Sequence, residues 1–132
     1  HVPDLALGLS EVARVLKPKG KFYCATGGER TIMRFVADLL ERYGVVYDTN
    51  NNFTLQNGKQ KLAPHFASVK ILEYIDALEV TNIGDLMDYI YSGITWQNAC
   101  HLPKSTVRQV LEKNMLNGIL RIPKECGMFI CE

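Results

Sequence analysis

Apolar side chains recur every three or four residues in several stretches of the chain, which is the period of an amphipathic helix. The first stretch contains Leu5, Leu9, Val12 and Leu16, with charged residues on the opposite side. It predicts a helix over residues 4–16. The same spacing predicts further helices from Ile32 to Tyr43, from Asn57 or Gly58 to about His65, after a cap at Thr81, and from Pro103 to a stop at Asn117.

Three other segments are typical of strands. KFYCAT, residues 21–26, is apolar on both faces, as strands of parallel sheets are. SVKILEYIDALEVT, residues 68–81, alternates well enough to form one long or bent strand. Residues 119–132 predict a C-terminal β-hairpin, in which the loop PKECG joins ILRI to MFIC. Helix, strand and helix in this order indicate an α/β fold with a parallel sheet, of which these strands are only a part.

The opening segment resembles a known family. HVPD and ALGLSEVARVLKPKGKFYCATGGE are similar to the later half of a class I, Rossmann-like S-adenosylmethionine-dependent methyltransferase. In that family an HxPD-like segment follows the fourth strand, and a helix ending in RVLKPGG leads into the fifth strand. Lys19 stands where the family usually has the first of the two glycines, a difference that changes the turn. FTLQNGKQKLAPHFASVKILEYIDALEVTN is similar to the branch acting on small molecules, and GMFICE suits the family's final antiparallel strand.

The resemblance implies a partial Rossmann-like methyltransferase sheet, made of the later strands only, with added helices. Residues 1–80 would form the C-terminal half of the methyltransferase domain, residues 81–118 a helical addition, and residues 119–132 the hairpin that closes the same domain. The start HVPDLALGL has neither an initiator methionine nor the basic segment of a signal peptide. We therefore expect a trimmed or truncated chain.

The implied cofactor is S-adenosylmethionine, and the implied methyl acceptor is a small molecule. Cofactor recognition in an open α/β sheet needs a glycine-rich loop after the first strand and an acidic residue at the end of the second. The sequence contains neither in that setting, so we assign no cofactor-binding residue to it. We expect the chain alone to be inactive, and its resemblance assigns no catalytic residue.

Four residues are candidates for the substrate pocket of such an enzyme. By the resemblance, His1 follows the fourth strand, and Thr26 and Gly27 follow the fifth, where ligands of open sheets bind. Trp96 lies in a predicted loop between two helices and would line the pocket as part of a lid. The structural alternatives are a solvated terminal imidazole, an ordinary strand end, and an aromatic side chain that packs two helices together.

Composition narrows the classes of function. The 132 residues include 15 basic and 14 acidic side chains, and this formal net charge of +1 gives little long-range attraction for nucleic acid or an anionic membrane. No apolar run is long enough to span a bilayer. The three histidines lack the spacing of metal ligands, so we predict no metal site. Cys100 and His101 are adjacent but have no third orienting group, so they are not assigned as nucleophile and base.

The four cysteines bear on the compartment. They contain no CxxC motif, and Cys24 lies inside an apolar strand, so we expect buried free thiols in a cytoplasmic protein. Cys126 and Cys131 flank a turn of the predicted hairpin, and a disulfide between them is the open alternative.

The C-terminal segment supports a second interpretation. Residues 102–132 also resemble a winged-helix unit that binds nucleic acid, with STVRQVLE as the recognition helix and the hairpin as the wing. The cations aimed at phosphate would be Lys104, Arg108, Lys113, Arg121 and Lys124. The nearly neutral chain and the α/β opening weigh against nucleic-acid binding, and a non-enzymatic interaction module is the alternative to a methyltransferase.

Truncation also predicts self-association. Without upstream strands, one flank of strand 21–26 would lack its neighbour, and an unpaired apolar edge invites pairing with another chain. We therefore expect a homo-oligomer, a dimer or larger, with this strand at or near the interface.

Overall fold

The computed structural model describes residues 2–48 and 51–132, which contain six α-helices and three β-strands. In chain order they are α1 (Leu5–Val15), β1 (Phe22–Gly27), α2 (Ile32–Leu40), α3 (Leu55–Leu62), β2 (Val69–Val80), α4 (Ile83–Ser92), α5 (Ile94–Ala99), α6 (Lys104–Lys113) and β3 (Leu120–Cys131). A 3₁₀ turn, Glu41–Tyr43, follows α2. The mixed α/β class is confirmed. None of the described helices is both long and apolar enough to cross a membrane.

Local sequence signals explain several helix boundaries. Asp4 caps α1 as predicted, because its Oδ1 accepts a hydrogen bond from a backbone N–H of the first turn at 2.9 Å. Gly44 ends the turn after α2 in a left-handed conformation, with φ of 80°. The cap of α4 is Asn82 rather than Thr81, since the Asn82 side chain accepts the first-turn hydrogen bond.

The three strands form one open sheet in the order β1–β3–β2. β1 is antiparallel to β3, with Phe22 opposite Cys131. Just before β2, Ser68 exchanges both backbone hydrogen bonds with Glu132 at 3.0 Å, which is the pattern of an antiparallel pair. β1 and β2 therefore run in the same direction, but β3 lies between them. The predicted parallel pairing is wrong, because apolar spacing identifies strands without identifying their neighbours.

β3 replaces the hairpin predicted for residues 119–132. The segment PKECG continues the strand instead of turning, so Leu120–Cys131 is one strand of 12 residues. Pro123 is tolerated in it because it lies outside the segment that pairs with β1. Along a single strand Cys126 and Cys131 are about 16 Å apart, too far for a disulfide. Both thiols are free.

The apolar sequence of β1 predicted burial on both faces, but only one face is partly buried. Its even-numbered residues are half-buried, whereas its odd-numbered residues are exposed, with Tyr23 57% exposed. Phe22 and Cys24, on the half-buried face, pack against the core to which α1 and α3 contribute. The alternation of β1 is that of a strand with helices on one face.

The chain forms two compact units, which are described separately. The first contains residues 1–29, 50–75 and 125–132. Its buried apolar residues are Leu9, Leu62, Phe66, Phe129 and Cys131. Phe22 stacks on Phe66 with 5.7 Å between the ring centroids. Phe53 meets Phe129 edge to face at 5.8 Å, so two aromatic pairs contribute to this core.

The second unit contains residues 30–49 and 76–124. Its fully buried side chains are Val36, Leu40, Ile90, Trp96, Val107, Leu111, Leu120 and Ile122. They come from α2, α4, α5, α6 and the start of β3. In the longer helices, the apolar positions that recur every three or four residues are therefore the buried face. Two exposed ion pairs, Arg121–Glu79 at 3.8 Å and Lys124–Asp76 at 3.6 Å, connect β3 to β2.

The turn between α1 and β1 contains two unusual backbone positions. Lys19 has a φ of 64°, in the left-handed region that glycine favours. The Gly20 N–H donates to the Lys17 carbonyl at 2.8 Å, and a Cβ on Gly20 would lie 2.8 Å from that oxygen. Glycine is therefore required at position 20 and favoured at position 19, where this chain has lysine.

We expect Lys19→Gly to stabilise the protein. The left-handed backbone costs a lysine about 1–2 kcal/mol, and the greater freedom of glycine in the unfolded chain offsets part of the gain. The free energy of unfolding, measured by urea titration, should rise by about 0.5–1 kcal/mol. Lys17→Gly is the matched control at an exposed position without a left-handed φ, and it should lower stability. An equal gain from both variants would contradict the explanation.

Candidate functional site

Thr26 and Gly27 lie at the carboxyl end of β1, where the fold brings several polar groups together. The Thr26 side chain is half-buried, and its Oγ1 donates to the Phe53 carbonyl at 2.9 Å. Gly27 is exposed, whereas the next residue, Gly28, is buried. The hydroxyl proton of Thr26 is therefore engaged in holding the segment that precedes α3.

Gly28 is buried because the side chain of Glu125 lies against it. A Cβ at position 28 would be 2.5 Å from the Glu125 Cβ, so only glycine fits. The Gly28 N–H donates to the Glu125 carbonyl at 3.0 Å. The Gln56 Oε1 accepts from the Glu29 N–H at 3.1 Å, and its Nε2 donates to Glu125 Oε2 at 3.0 Å. We call Thr26, Gly28, Glu29, Gln56 and Glu125 the strand-end network.

Side chains of α3 hold the loop beside this network. Thr54 and Asn57 form a capping box: Thr54 Oγ1 accepts from the Asn57 N–H at 3.3 Å, and Asn57 Oδ1 accepts from the Thr54 N–H at 2.9 Å. Asn57 Nδ2 also donates to the Asn51 carbonyl at 2.6 Å. Because of this cap, α3 begins at Leu55, two or three residues before the predicted start at Asn57 or Gly58.

The strand-end network does not suit a nucleotide-containing cofactor such as S-adenosylmethionine. Such a ligand needs a glycine whose surroundings are open and backbone N–H groups that can donate to it. The N–H groups of Gly28 and Glu29 already donate within the protein, and Glu125 fills the space beside Gly28. We therefore assign no cofactor site and no reaction step to this network.

Gln56 and Glu125 were not found by sequence reasoning. They are far apart in the chain and meet because β3 pairs with β1. The glycine pair in GGER was the one available signal, since buried glycine marks a close approach of other atoms. The sequence did not indicate which atoms approach.

Trp96 lies in the second unit, inside α5 rather than in the predicted loop. It is 0% exposed, and its ring centroid is 6.0 Å from that of Tyr47 and 6.4 Å from that of Tyr91. Lys104 Nζ lies 4.7 Å from the centroid of the Tyr91 ring. These contacts support the interpretation of Trp96 as an aromatic side chain that packs helices together.

The aromatic cluster of Tyr47, Tyr91 and Trp96 contains polar atoms in an apolar environment. Tyr91 Oη and Trp96 Nε1 are buried, and neither meets a hydrogen-bond partner at bonding geometry among the described residues. Burial raises the pKa of Tyr91, and the nearby Cys100 raises it further.

Among the described residues, the other candidates do not form a site. His1 lies outside the described residues. Cys100 is buried and His101 is exposed, which is not the arrangement of a nucleophile and its base. Within residues 2–48 and 51–132, no three histidine, cysteine, aspartate or glutamate side chains are grouped so as to hold a metal ion.

A shallow groove of about 620 Å³ crosses the exposed face of the sheet in the first unit. Its mainly apolar lining includes Ala25, Leu72, Tyr74, Cys126 and Met128. Together with the exposed Tyr23, these residues make up what we call the open face. It is the face opposite to the one that packs against α1 and α3.

We expect Trp96→Ala to lower the free energy of unfolding by about 3–5 kcal/mol, because it leaves a large cavity in the second unit. Trp96→Phe should cost clearly less, since it keeps an aromatic ring in the cluster. Urea titration followed by circular dichroism measures both, as the variants lack the single tryptophan of the chain. Full stability of Trp96→Ala would exclude the packing role.

We expect stability to fall at alkaline pH. Burial, the largest cause in each case, raises the pKa of Cys24, Cys131, Tyr47 and Tyr91 above the ordinary values of 9.0 for cysteine and 10.0 for tyrosine. The native state then keeps protons that the unfolded state releases, so this stabilisation is complete below the ordinary pKa and is lost as pH rises through the raised one. Urea midpoints at about pH 8 and about pH 10.5 measure the fall.

Tyr91→Phe should reduce that alkaline loss of stability, because it removes one of the protons retained in the native state. Tyr74→Phe is the matched control, since Tyr74 is exposed. A loss that is the same in Tyr91→Phe, Tyr74→Phe and the parent chain would show that Tyr91 does not contribute.

No protein-family model matches the chain, and no curated protein matches it either. The family resemblance therefore depends on the residues of the opening and central segments alone. Any function assigned to the chain is a proposal.

Proposed function

We propose that the chain is the C-terminal part of a Rossmann-like S-adenosylmethionine-dependent methyltransferase that acts on a small molecule. The observation that carries the proposal is the position of β3. The resemblance makes KFYCAT the fifth strand of the sheet and GMFICE its final antiparallel strand, and these two segments are antiparallel neighbours here. β2, the strand between them in sequence, lies on the other side of β3 and runs in the same direction as β1.

The turn between α1 and β1 also supports the proposal. The related sequence pattern has glycine at the position of Lys19, and Lys19 adopts a left-handed conformation that favours glycine. The following Gly20 is required by its close contact with the Lys17 carbonyl. Backbone geometry thus explains the pattern RVLKPGG, and these residues have a structural role only.

In this proposal the parent enzyme transfers a methyl group to a small nucleophile and acts mainly by holding the reactants aligned. The described residues contribute the end of the sheet and the helices that follow it. In this proposal the cofactor-binding half lies outside these residues, and the strand-end network supports this because its N–H groups donate within the protein. The 132-residue chain is then inactive by itself.

A winged-helix function has less support. Residues 119–132 form no hairpin, so the wing required for that interpretation is not formed. Three of the five cations that would face phosphate lie near carboxylates. Arg108 lies near Glu112, and Arg121 and Lys124 form the two exposed ion pairs with β2. Their positive charge is therefore partly neutralised within the chain.

Calorimetric titration of S-adenosylmethionine into two proteins tests the methyltransferase proposal. One is the 132-residue chain, and the other is this chain extended upstream by its native coding sequence. We expect binding to the extended protein alone, because the glycine-rich loop and the acidic residue would come from the added segment. Adenosine monophosphate is the control ligand and should bind much more weakly to both.

Two results would overturn the proposal. If neither protein binds S-adenosylmethionine, the resemblance reflects the scaffold and not the activity. If the 132-residue chain binds it as tightly as the extended protein, the cofactor site lies within the chain and the division into two halves is wrong.

A further inference from the structure

Within residues 2–48 and 51–132, β1 pairs on one edge only, and its other edge has a regular pattern of backbone groups. The bond from the Gly28 N–H to the Glu125 carbonyl lies in the register of the β1–β3 ladder. Because hydrogen-bonded pairs recur every second residue, the even-numbered residues of β1 direct their N–H and C=O groups towards β3. Those of Tyr23, Ala25 and Gly27 point away from it. In the described part of the chain, no strand lies on that side.

The two edges of the sheet differ in charge. β2, the other edge strand, carries Lys70, Glu73, Asp76 and Glu79, and charged side chains are a common protection against edge-to-edge pairing. β1, FYCATG, contains no charged residue and no proline. The edge of β1 therefore lacks the protection that the edge of β2 has.

We propose that β1 is the dimer interface of the 132-residue chain and pairs antiparallel with β1 of a second copy. A two-fold axis through Ala25 places Ala25 opposite the partner's Ala25 and Tyr23 opposite the partner's Gly27. In this register the outward N–H and C=O groups of all three residues are used, for about six hydrogen bonds. The interface is isologous, so it closes as a dimer and does not propagate.

The side chains of β1 fit this register. Tyr23 lies opposite a glycine, and an aromatic ring packs well across a strand pair over the space that glycine leaves. Lys21, just before β1, forms an ion pair with Glu132 of its own chain at 2.8 Å, so the fit of this register depends on Tyr23, Ala25 and Gly27. Because the axis is perpendicular to the sheet, the open faces of the two copies become continuous.

The proposal concerns the 132-residue chain alone, since in the parent enzyme proposed above an upstream strand of the same sheet would occupy this edge of β1. Light scattering gives the mass of the chain in solution. At about 100 µM we expect twice the 14.9 kDa of one chain. A mass of one chain at this concentration would overturn the proposal.

Ala25→Lys places two like charges opposite each other at the axis, and we expect it to give the mass of a single chain. Ala25 is exposed, so the substitution should leave the circular dichroism spectrum unchanged. Ile75→Lys is the matched control on β2, where the residue is 93% exposed, and it should stay dimeric. If Ala25→Lys stays dimeric, β1 is not the interface.

Disulfide formation tests the register. Opposite residues of a hydrogen-bonded pair have Cα atoms about 5.5 Å apart, within the range of a disulfide. We expect Ala25→Cys to form a covalent dimer under mild oxidation. Ile75→Cys is the control, since it keeps the same native cysteines, and it should form little covalent dimer. Equal cross-linking of the two variants would overturn the two-fold axis at Ala25.

Discussion

The backbone pairing between β1 and β3 is the interaction on which the first unit depends. It places Phe22 opposite Cys131, so the first strand of the chain is held by the last. The inner face of β3 supplies Phe129 and Cys131 to the core that α1 and α3 cover. No short turn connects the two strands. The entropy of closing such a long loop must therefore be offset by apolar burial and by the hydrogen bonds of the ladder.

The same pairing determines the chemistry at the carboxyl end of β1. It brings Glu125 against Gly28, and the backbone N–H groups there donate to groups of the protein itself. A strand end of this kind in an open α/β sheet is usually a place for ligands. In this chain it is a structural junction, held by Gln56 from α3. A methyltransferase built on this unit must obtain its cofactor site from other residues.

The pairing also explains why β1 is exposed on one flank and one face. β3 occupies a single side of β1, and α1 and α3 cover a single face. The apolar composition of KFYCAT is typical of a strand surrounded on all sides, which is why it predicted burial. The outward N–H and C=O groups of Tyr23, Ala25 and Gly27, on the other flank, are the physical basis for expecting another strand beside β1.

The sequence alone determined most helices, the positions of β1 and β2, and the cap at Asp4. These features depend on the period and the capping groups of contiguous residues, which are visible in one dimension. It did not determine which strands are neighbours. Residues 119–132 contain proline and glycine between two apolar runs and so predicted a hairpin. The tertiary structure made them one strand, because pairing with β1 and β2 uses the backbone groups on both of its flanks.

The burial of Trp96 and the contact of Glu125 with Gln56 were likewise decided by the tertiary structure. Apolar spacing shows that a helix has a buried face, but it does not show which side chains meet there. Such contacts depend on the total free energy of packing between segments that are distant in the chain. A short stretch of sequence does not contain that information.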